Sequence, residues 1–210
     1  MLVVISIIAV LAGLAFPVIA GVLERAKKVQ AKNDLSQIVT AVKAYYTEYG
    51  RFPLAPSWEQ NHDVTFAADS YQDQLMNVLR ANGSGRDNPS STSTDDNENP
   101  RRIAFLSPPI AKSATAPKGG VAPDTASSYA GMYVDPWGNV YNVRIDGNYD
   151  RSLPNPYGSN AGPALLREDV IAWSAGRDLR TGSVTSHIDA GAGSGDLKTP
   201  PNTDDVLSWQ

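Results

Sequence analysis

The first 23 residues, Met1 to Leu23, carry no charged side chain and only one hydroxyl, Ser6, in a run of Val, Ile, Leu and Ala. As a helix this run reaches roughly 35 Å, enough to cross the hydrocarbon core of a bilayer. A secretory signal peptide is the competing reading, with Ala20 and Gly21 as its small-residue cleavage region, but the basic segment that leads such a peptide is missing. From Glu24 the pattern becomes one-faced: Leu35, Ile38, Val42, Tyr45 and Tyr49 recur three and four residues apart, with Lys32, Asn33, Gln37 and Lys43 between them. Glu24 and Lys28 can pair one turn apart, and no Gly or Pro interrupts Val22 to Tyr49. The segment therefore predicts one helix of nearly fifty residues, stopped by Gly50 and Pro53, apolar all round in residues 1–23 and amphipathic in residues 24–50. Pro17, with Gly13 nearby, predicts a kink or an unwound stretch in the apolar half. A single-pass anchor carrying an unrelated head has the same helix pattern.

A chain of 210 residues, 41% hydrophobic and 19% charged, suits one domain plus that appendage. Its net charge of -4 argues against gripping nucleic acid by bulk electrostatics, and no nucleic-acid partner is expected. Cysteine is absent, which excludes disulfides and thiolate metal sites, and His62 and His187 are too few for a histidine cluster.

In the head, residues 51–210, Ser70 and Asp73 have capping-box spacing before Leu75, Met76 and Leu79, predicting a short helix that ends before Gly83. Residues 82–100 are polar and read as an exposed loop, and residues 107–130, rich in Pro, Ala and Gly, as a second irregular connection. Strands are expected at Ile103–Leu106, Gly131–Val134, Asn139–Ile145 and Val170–Ser174; in the third, Tyr141, Val143 and Ile145 alternate with Asn142 and Arg144. Asp135-Pro136-Trp137-Gly138 fits a type I turn joining two of them as a hairpin. The fold class that follows is α+β, a long helix laid on a small antiparallel sheet with long loops. Trp137 and Trp173 are expected in the core or in turn packing, and Tyr45, Tyr46 and Tyr49 against the sheet. Gly191–Asp196 (GAGSGD) lacks the Lys and Ser/Thr of a phosphate loop, and neither a nucleophile elbow nor a His-centred triad is visible, so no catalytic residue is assigned and no enzyme is expected.

The run MLVVISIIAVLAGLAFPVI resembles the N-terminal segment of type IV pilins and of the pseudopilins of type II secretion. YYTEYGRFP at Tyr45–Pro53, DPWGNVY at Asp135–Tyr141, SAGRD at Ser174–Asp178 and DDVLSW at Asp204–Trp209 narrow the likeness to the major, G-type pseudopilin. The resemblance implies a structural subunit that polymerises through its N-terminal helix into a homo-oligomeric filament helping to drive protein export. Leu2, Ile5, Ile8, Leu11, Leu14 and Pro17 would lie in the filament core. Minor pseudopilins and the inner-membrane secretion platform would be partners, and a prepilin peptidase would process and methylate the precursor. Location would be the bacterial inner membrane, single-pass, with the head in the periplasm. The family's Glu at the fifth mature position would fall immediately before Met1. Arg25, Lys27 and Lys28 after the apolar run, with no base before it, would by the positive-inside rule orient the head inward. The missing Glu would reflect a start placed downstream of the true one, a trimmed chain, or a copy that has lost processing; the charge pattern favours truncation, so a basic leader, a Gly and a Phe-Thr-Leu-Ile-Glu-like stretch are expected to precede this sequence.

The same resemblance implies a structural Ca2+ held by Ser174, Asp178, Asp204 and Asp205 with backbone carbonyls, ordering the Gly-rich stretch between them. Hard oxygens in a flexible loop suit that ion. The segment from Asp178 to Asp204 is longer than the family's compact loop and adds Asp189 and Asp196; the competing reading is a merely solvated acidic loop. Asp146-x-Asn148-x-Asp150 has the spacing that opens an EF-hand, but Arg151 and Tyr157 stand where its Gly and Glu belong, so it reads as a solvated turn. A surface type IV pilin, and an anchored or secreted calcium-binding module or hydrolase, are the alternative functions.

Overall fold

The computed structural model describes residues 2–54, 62–68, 71–82, 98–123, 128–157, 162–178 and 205–209, with the side chains of residues 2, 5, 7–20 and 178 outside the description. Helix α1 spans Leu2–Tyr49, 48 residues, about 72 Å. It runs as one helix through Gly13 and Pro17, so of the two alternatives expected there the unwound stretch does not form.

In its second half α1 buries Leu35, Ile38, Val42 and Tyr45 of the expected stripe, with Ala31 and Ala41 added to it, while Tyr49 is only partly buried. It stops where Gly50 takes a left-handed φ of 70° and donates its N–H to the Tyr46 carbonyl at 2.8 Å. Tyr46, expected against the sheet, is instead 41% exposed; it lies beside Phe52, at the edge of the stripe. Tyr45 and Tyr49 pack on Phe105.

Against this stripe lies a four-stranded antiparallel sheet in the order β1 (Val64–Phe66), β4 (Asn142–Ile145), β7 (Val170–Ser174), β8 (Val206–Leu207). Its register pairs Phe66 with Val143, Val143 with Ala172, Ile145 with Val170 and Ser174 with Val206. The alternation read from β4 holds. Tyr141, Val143 and Ile145 join the core under α1, while Arg144 turns to the far face, its guanidinium 5.8 Å from the Trp173 ring. Arg144 also donates to Thr65 Oγ1 and the Pro154 carbonyl at 2.8 and 2.7 Å. That far face is not left to solvent: Ile171, Trp173 and Leu207 form a second core with Leu153, Tyr157 and Leu166. The last three come from β5 (Leu153–Pro154), its partner β6 (Leu165–Leu166) and the chain between them.

Two further strands, β2 (Gly120–Val121) and β3 (Tyr133–Val134), pair with each other. The Val134–Val140 bridge closes the expected hairpin. Ile103–Leu106 is not a strand. The N–H groups of Phe105 and Leu106 both donate to the Leu79 carbonyl, at 2.8 and 3.0 Å, so this apolar segment closes the C-terminal end of α2 (Gln72–Arg80). Nor does α2 start on a capping box: its N-cap is Tyr71, left-handed at φ 56° with no side-chain cap, and Ser70 lies outside the described residues. The Gln72 amide, buried at the first turn, accepts from the Tyr133 N–H and donates to the Tyr133 carbonyl at 3.1 and 3.3 Å. It pairs with β3 as a neighbouring strand would. Among the described residues no helix is long and apolar enough to cross a membrane; the side chains of residues 7–20, on which that expectation rests, lie outside them.

Candidate functional site

The chemistry-bearing contacts converge on one stretch of α1, from Glu24 to Asp34. The Asp135-Pro136-Trp137-Gly138 turn forms as expected, with the Gly138 N–H donating to the Asp135 carbonyl at 3.2 Å. Its organiser is the Asp135 side chain, which is fully buried. Oδ1 accepts from the N–H groups of Trp137, Gly138 and Asn139 at 2.9, 2.7 and 2.9 Å. Oδ2 accepts from Ser174 Oγ at 2.6 Å, and that hydroxyl in turn accepts from the Gly176 N–H at 3.1 Å. Asn139 Nδ2 donates to the Gly176 carbonyl at 2.8 Å. The DPWGN and SAG segments, far apart in sequence, are thereby one unit. Burial raises the Asp135 carboxyl above the usual carboxylate range, outweighing the opposing pull of these donors.

This unit and the strands beside it are docked on α1 at three places. Trp137 Nε1 donates to Glu24 Oε1 at 2.8 Å, so Glu24 serves as an anchor for the turn. Lys32 Nζ donates to the Leu207 carbonyl at 2.6 Å, holding the last strand. Asp34, almost fully buried on the apolar stripe, accepts from Tyr141 Oη at 2.8 Å and also from Tyr133. Burial raises the Asp34 carboxyl, and the hydroxyls of Tyr133 and Tyr141 are pushed above their ordinary value by burial and then by the Asp34 charge. None of these three anchors was assigned from sequence. The one available signal was Asp34 itself, a carboxylate set beside Leu35 on the face that must be buried.

Asp34 gives a pH signature. Because its folded value is raised, the native chain holds more protons than the unfolded one between about pH 4, the unfolded aspartate value, and the folded value. Stability contributed by this group is greatest below that window and falls as pH rises through it. Wild type should therefore gain on Asp34→Asn as the pH is lowered from about 7 toward 4. Thermal melting at several pH values checks it, and a difference that stays constant or reverses contradicts it.

Of the expected calcium ligands, Ser174 ends β7 with its hydroxyl engaged by Asp135 and Gly176. Asp205 immediately precedes β8, where the Ser174–Val206 register brings it beside the end of β7. The Asp178 backbone lies in a 3-10 turn, Gly176–Asp178, while its side chain and all of Asp204 fall outside the described residues. Among the described residues no three His, Cys, Asp or Glu side chains group as a metal site. Asp146-x-Asn148-x-Asp150 forms a self-bonded turn, Asp146 Oδ2 accepting from the Arg151 N–H at 2.7 Å.

The expected filament-core positions Leu2, Ile5, Ile8, Leu11, Leu14 and Pro17 all lie on α1; their side chains are outside the described residues. Spaced by three at about 100° per residue, they wind around the helix and do not form one stripe. The first described contact between α1 and the head is at Glu24. Nearby, Val22, Leu23 and Val29 are 58%, 60% and 70% exposed, and Val22, Ala26 and Val29 share one outward face by their four- and three-residue spacing.

No family model, no curated protein and no solved structure matches this chain.

Proposed function

We propose that the chain is a pilin-like structural subunit, of the major pseudopilin kind, that polymerises through α1 into a short filament serving type II protein secretion. The observation that carries this reading is the division of α1. Its second half is built into the head from Glu24 onward, and about 33 Å of helix lies N-terminal to that first anchor. The exposed Val22, Ala26 and Val29 face supplies apolar surface next to that segment for neighbouring copies. The four quoted sequence landmarks also find a common structural purpose: the helix end, the DPWG turn, the SAG end of β7 and the final strand all brace α1 or each other. In this reading the apolar half sits in the bacterial inner membrane before assembly, with the head in the periplasm. Minor pseudopilins and the inner-membrane platform are its partners, and Ca2+ held by Ser174, Asp178, Asp204 and Asp205 steadies the C-terminal loop.

Deleting residues 2–23 tests the reading. In cells carrying a type II secretion system, the full chain should sediment as a polymer in the sheared-filament fraction, and the shortened chain should stay monomeric with an unchanged melting temperature. A shortened chain that polymerises as well as the full one, or a full chain that stays dispersed, contradicts it.

A further inference from the structure

Beyond any role in assembly, a groove between the end of α1 and the β4–β5 turn has the make-up of a ligand site. It is a cavity of about 370 Å³ lined by Lys43, Tyr46, Phe52, Asp146, Tyr149, Arg151 and Asp169. That volume lies in the range of small-molecule pockets. Three aromatic rings meet in it: Phe52 and Tyr149 are stacked at 5.3 Å and 19°, and Tyr46 lies 4.8 Å from Phe52 and 6.5 Å from Tyr149. Phe52 is buried, whereas Tyr46 and Tyr149 keep 41% and 45% of their surface exposed.

The turn that presents Tyr149 and Arg151 is strained. Both are left-handed, at φ 61° and 59°, a conformation that costs a non-glycine residue about 1–2 kcal/mol. It is held by the Asp146 carboxylate, which accepts from the Asp150 and Arg151 N–H groups, and by Tyr149 Oη accepting from the Phe52 N–H at 3.3 Å. Close packing fixes it further, since a Cβ on Gly147 would run into the His62 carbonyl. An ordinary turn would place Gly or Asn at these positions. Here large side chains are kept in them and aimed along one groove.

Charge selects the ligand class. The two lining cations, Lys43 and Arg151, are matched by two lining carboxylates, Asp146 and Asp169, with Arg151 and Asp169 paired at 3.7 Å and Lys43 also paired with Glu168 outside the lining at 3.4 Å, so the groove carries no net sign. A fully charged ligand would meet a like charge wherever it bound. A neutral molecule carrying many hydroxyls can accept from Lys43 and Arg151 and donate to Asp169, while its C–H faces lie on the two exposed tyrosine rings. We infer that this groove binds a neutral saccharide unit through Tyr46 and Tyr149.

Saturation-transfer NMR tests this with the full chain in octaethylene glycol monododecyl ether micelles, whose head group carries neither sugar nor charge. The probes are cellobiose, maltose and N,N′-diacetylchitobiose at millimolar concentration. Transfer to the ring C–H protons of at least one of them is expected. It should fall at least about fivefold in Tyr46→Ala and in Tyr149→Gly, and persist in Tyr129→Ala, an exposed tyrosine outside the groove. Glycine at 149 accepts the left-handed backbone without strain but gives up the Phe52 stacking and the bond from the Phe52 N–H, so Tyr46→Ala, at an exposed helix position, is the arm in which loss of transfer reads binding alone. Absence of transfer from all three probes, or transfer that survives both groove variants, overturns the inference. So does displacement of the saccharide by acetate or tetramethylammonium, which would mark a site for charge.

Discussion

Replacing Asp135 by Ala is expected to destabilise the chain by about 3–5 kcal/mol, as for other breaks in a buried charged hydrogen-bond network. The carboxylate is the common acceptor of three backbone N–H groups and one hydroxyl, of which those of Trp137, Asn139 and Ser174 are buried and that of Gly138 partly so. Alanine leaves those donors unmatched and opens space between the turn and the end of β7. Asp135→Asn keeps the shape and an acceptor toward the three N–H groups, and its amide can donate to Ser174 Oγ; the expected cost is about 1–2 kcal/mol. The raised carboxyl points the same way, since a neutral group at this position avoids the desolvation that the charged one suffers. Equilibrium unfolding of the whole chain, followed by near-ultraviolet signal from the tryptophans, measures both. Equal losses for Ala and Asn, or an Ala variant within about 0.5 kcal/mol of wild type, would refute the role given to this carboxylate.

Tyr45→Ala should cost a similar amount, about 3–5 kcal/mol, through the cavity it leaves. Its ring is fully buried, 4.6 Å from Tyr49 and edge-on to Phe105 at 5.4 Å. Its hydroxyl donates to the Glu98 carbonyl, and the Glu98 side chain pairs with Arg51 at 2.5 Å just beyond the helix. Asn99 extends the same knot, its side chain joining Tyr49 Oη, the Val78 carbonyl and both backbone groups of Ile103. Tyr45→Phe separates the terms. It keeps the packing and orphans one buried carbonyl, for about 1 kcal/mol. If Phe costs as much as Ala, the hydrogen bond and not the ring holds α1 to the 98–106 segment.

Those two sites also mark the limit of what residue pattern alone conveys. α1 is legible because its period persists for many turns, and β7 because Val-Ile-Ala-Trp is an unbroken apolar run buried on both faces. The Asp-Pro-Trp-Gly turn is legible because each residue meets a stereochemical demand. β1, β5, β6 and β8 are only two or three residues long, too short for any period to register. Ile103–Leu106 has strand composition, yet the carbonyl that its N–H groups meet belongs to the end of α2, a tertiary fact that no local preference encodes. Residues 98 and 99 close a polar stretch that reads as solvated, and both are buried because Arg51 and Tyr49 satisfy them. Asp34 and Asp135 escape for the same reason: an aspartate's cost of burial depends on donors supplied from elsewhere in the chain. The proposed calcium ligands rest on resemblance alone, since the Asp178 side chain and Asp204 lie outside the described residues.

The central claim is that other copies of this chain cover the outer face of α1. The chain contains no cysteine, so Val29→Cys provides a unique thiol on that face. Its alkylation rate should be compared between sheared filaments and chain dispersed in detergent. Val42→Cys, buried in the chain's own core, and Tyr129→Cys, on the head surface, set the two ends of the scale. The account predicts that Cys introduced at 29 reacts freely when dispersed and falls to the level of the position 42 thiol on assembly, while the position 129 thiol keeps reacting in both states. A position 29 thiol equally reactive in filaments and in detergent would contradict it.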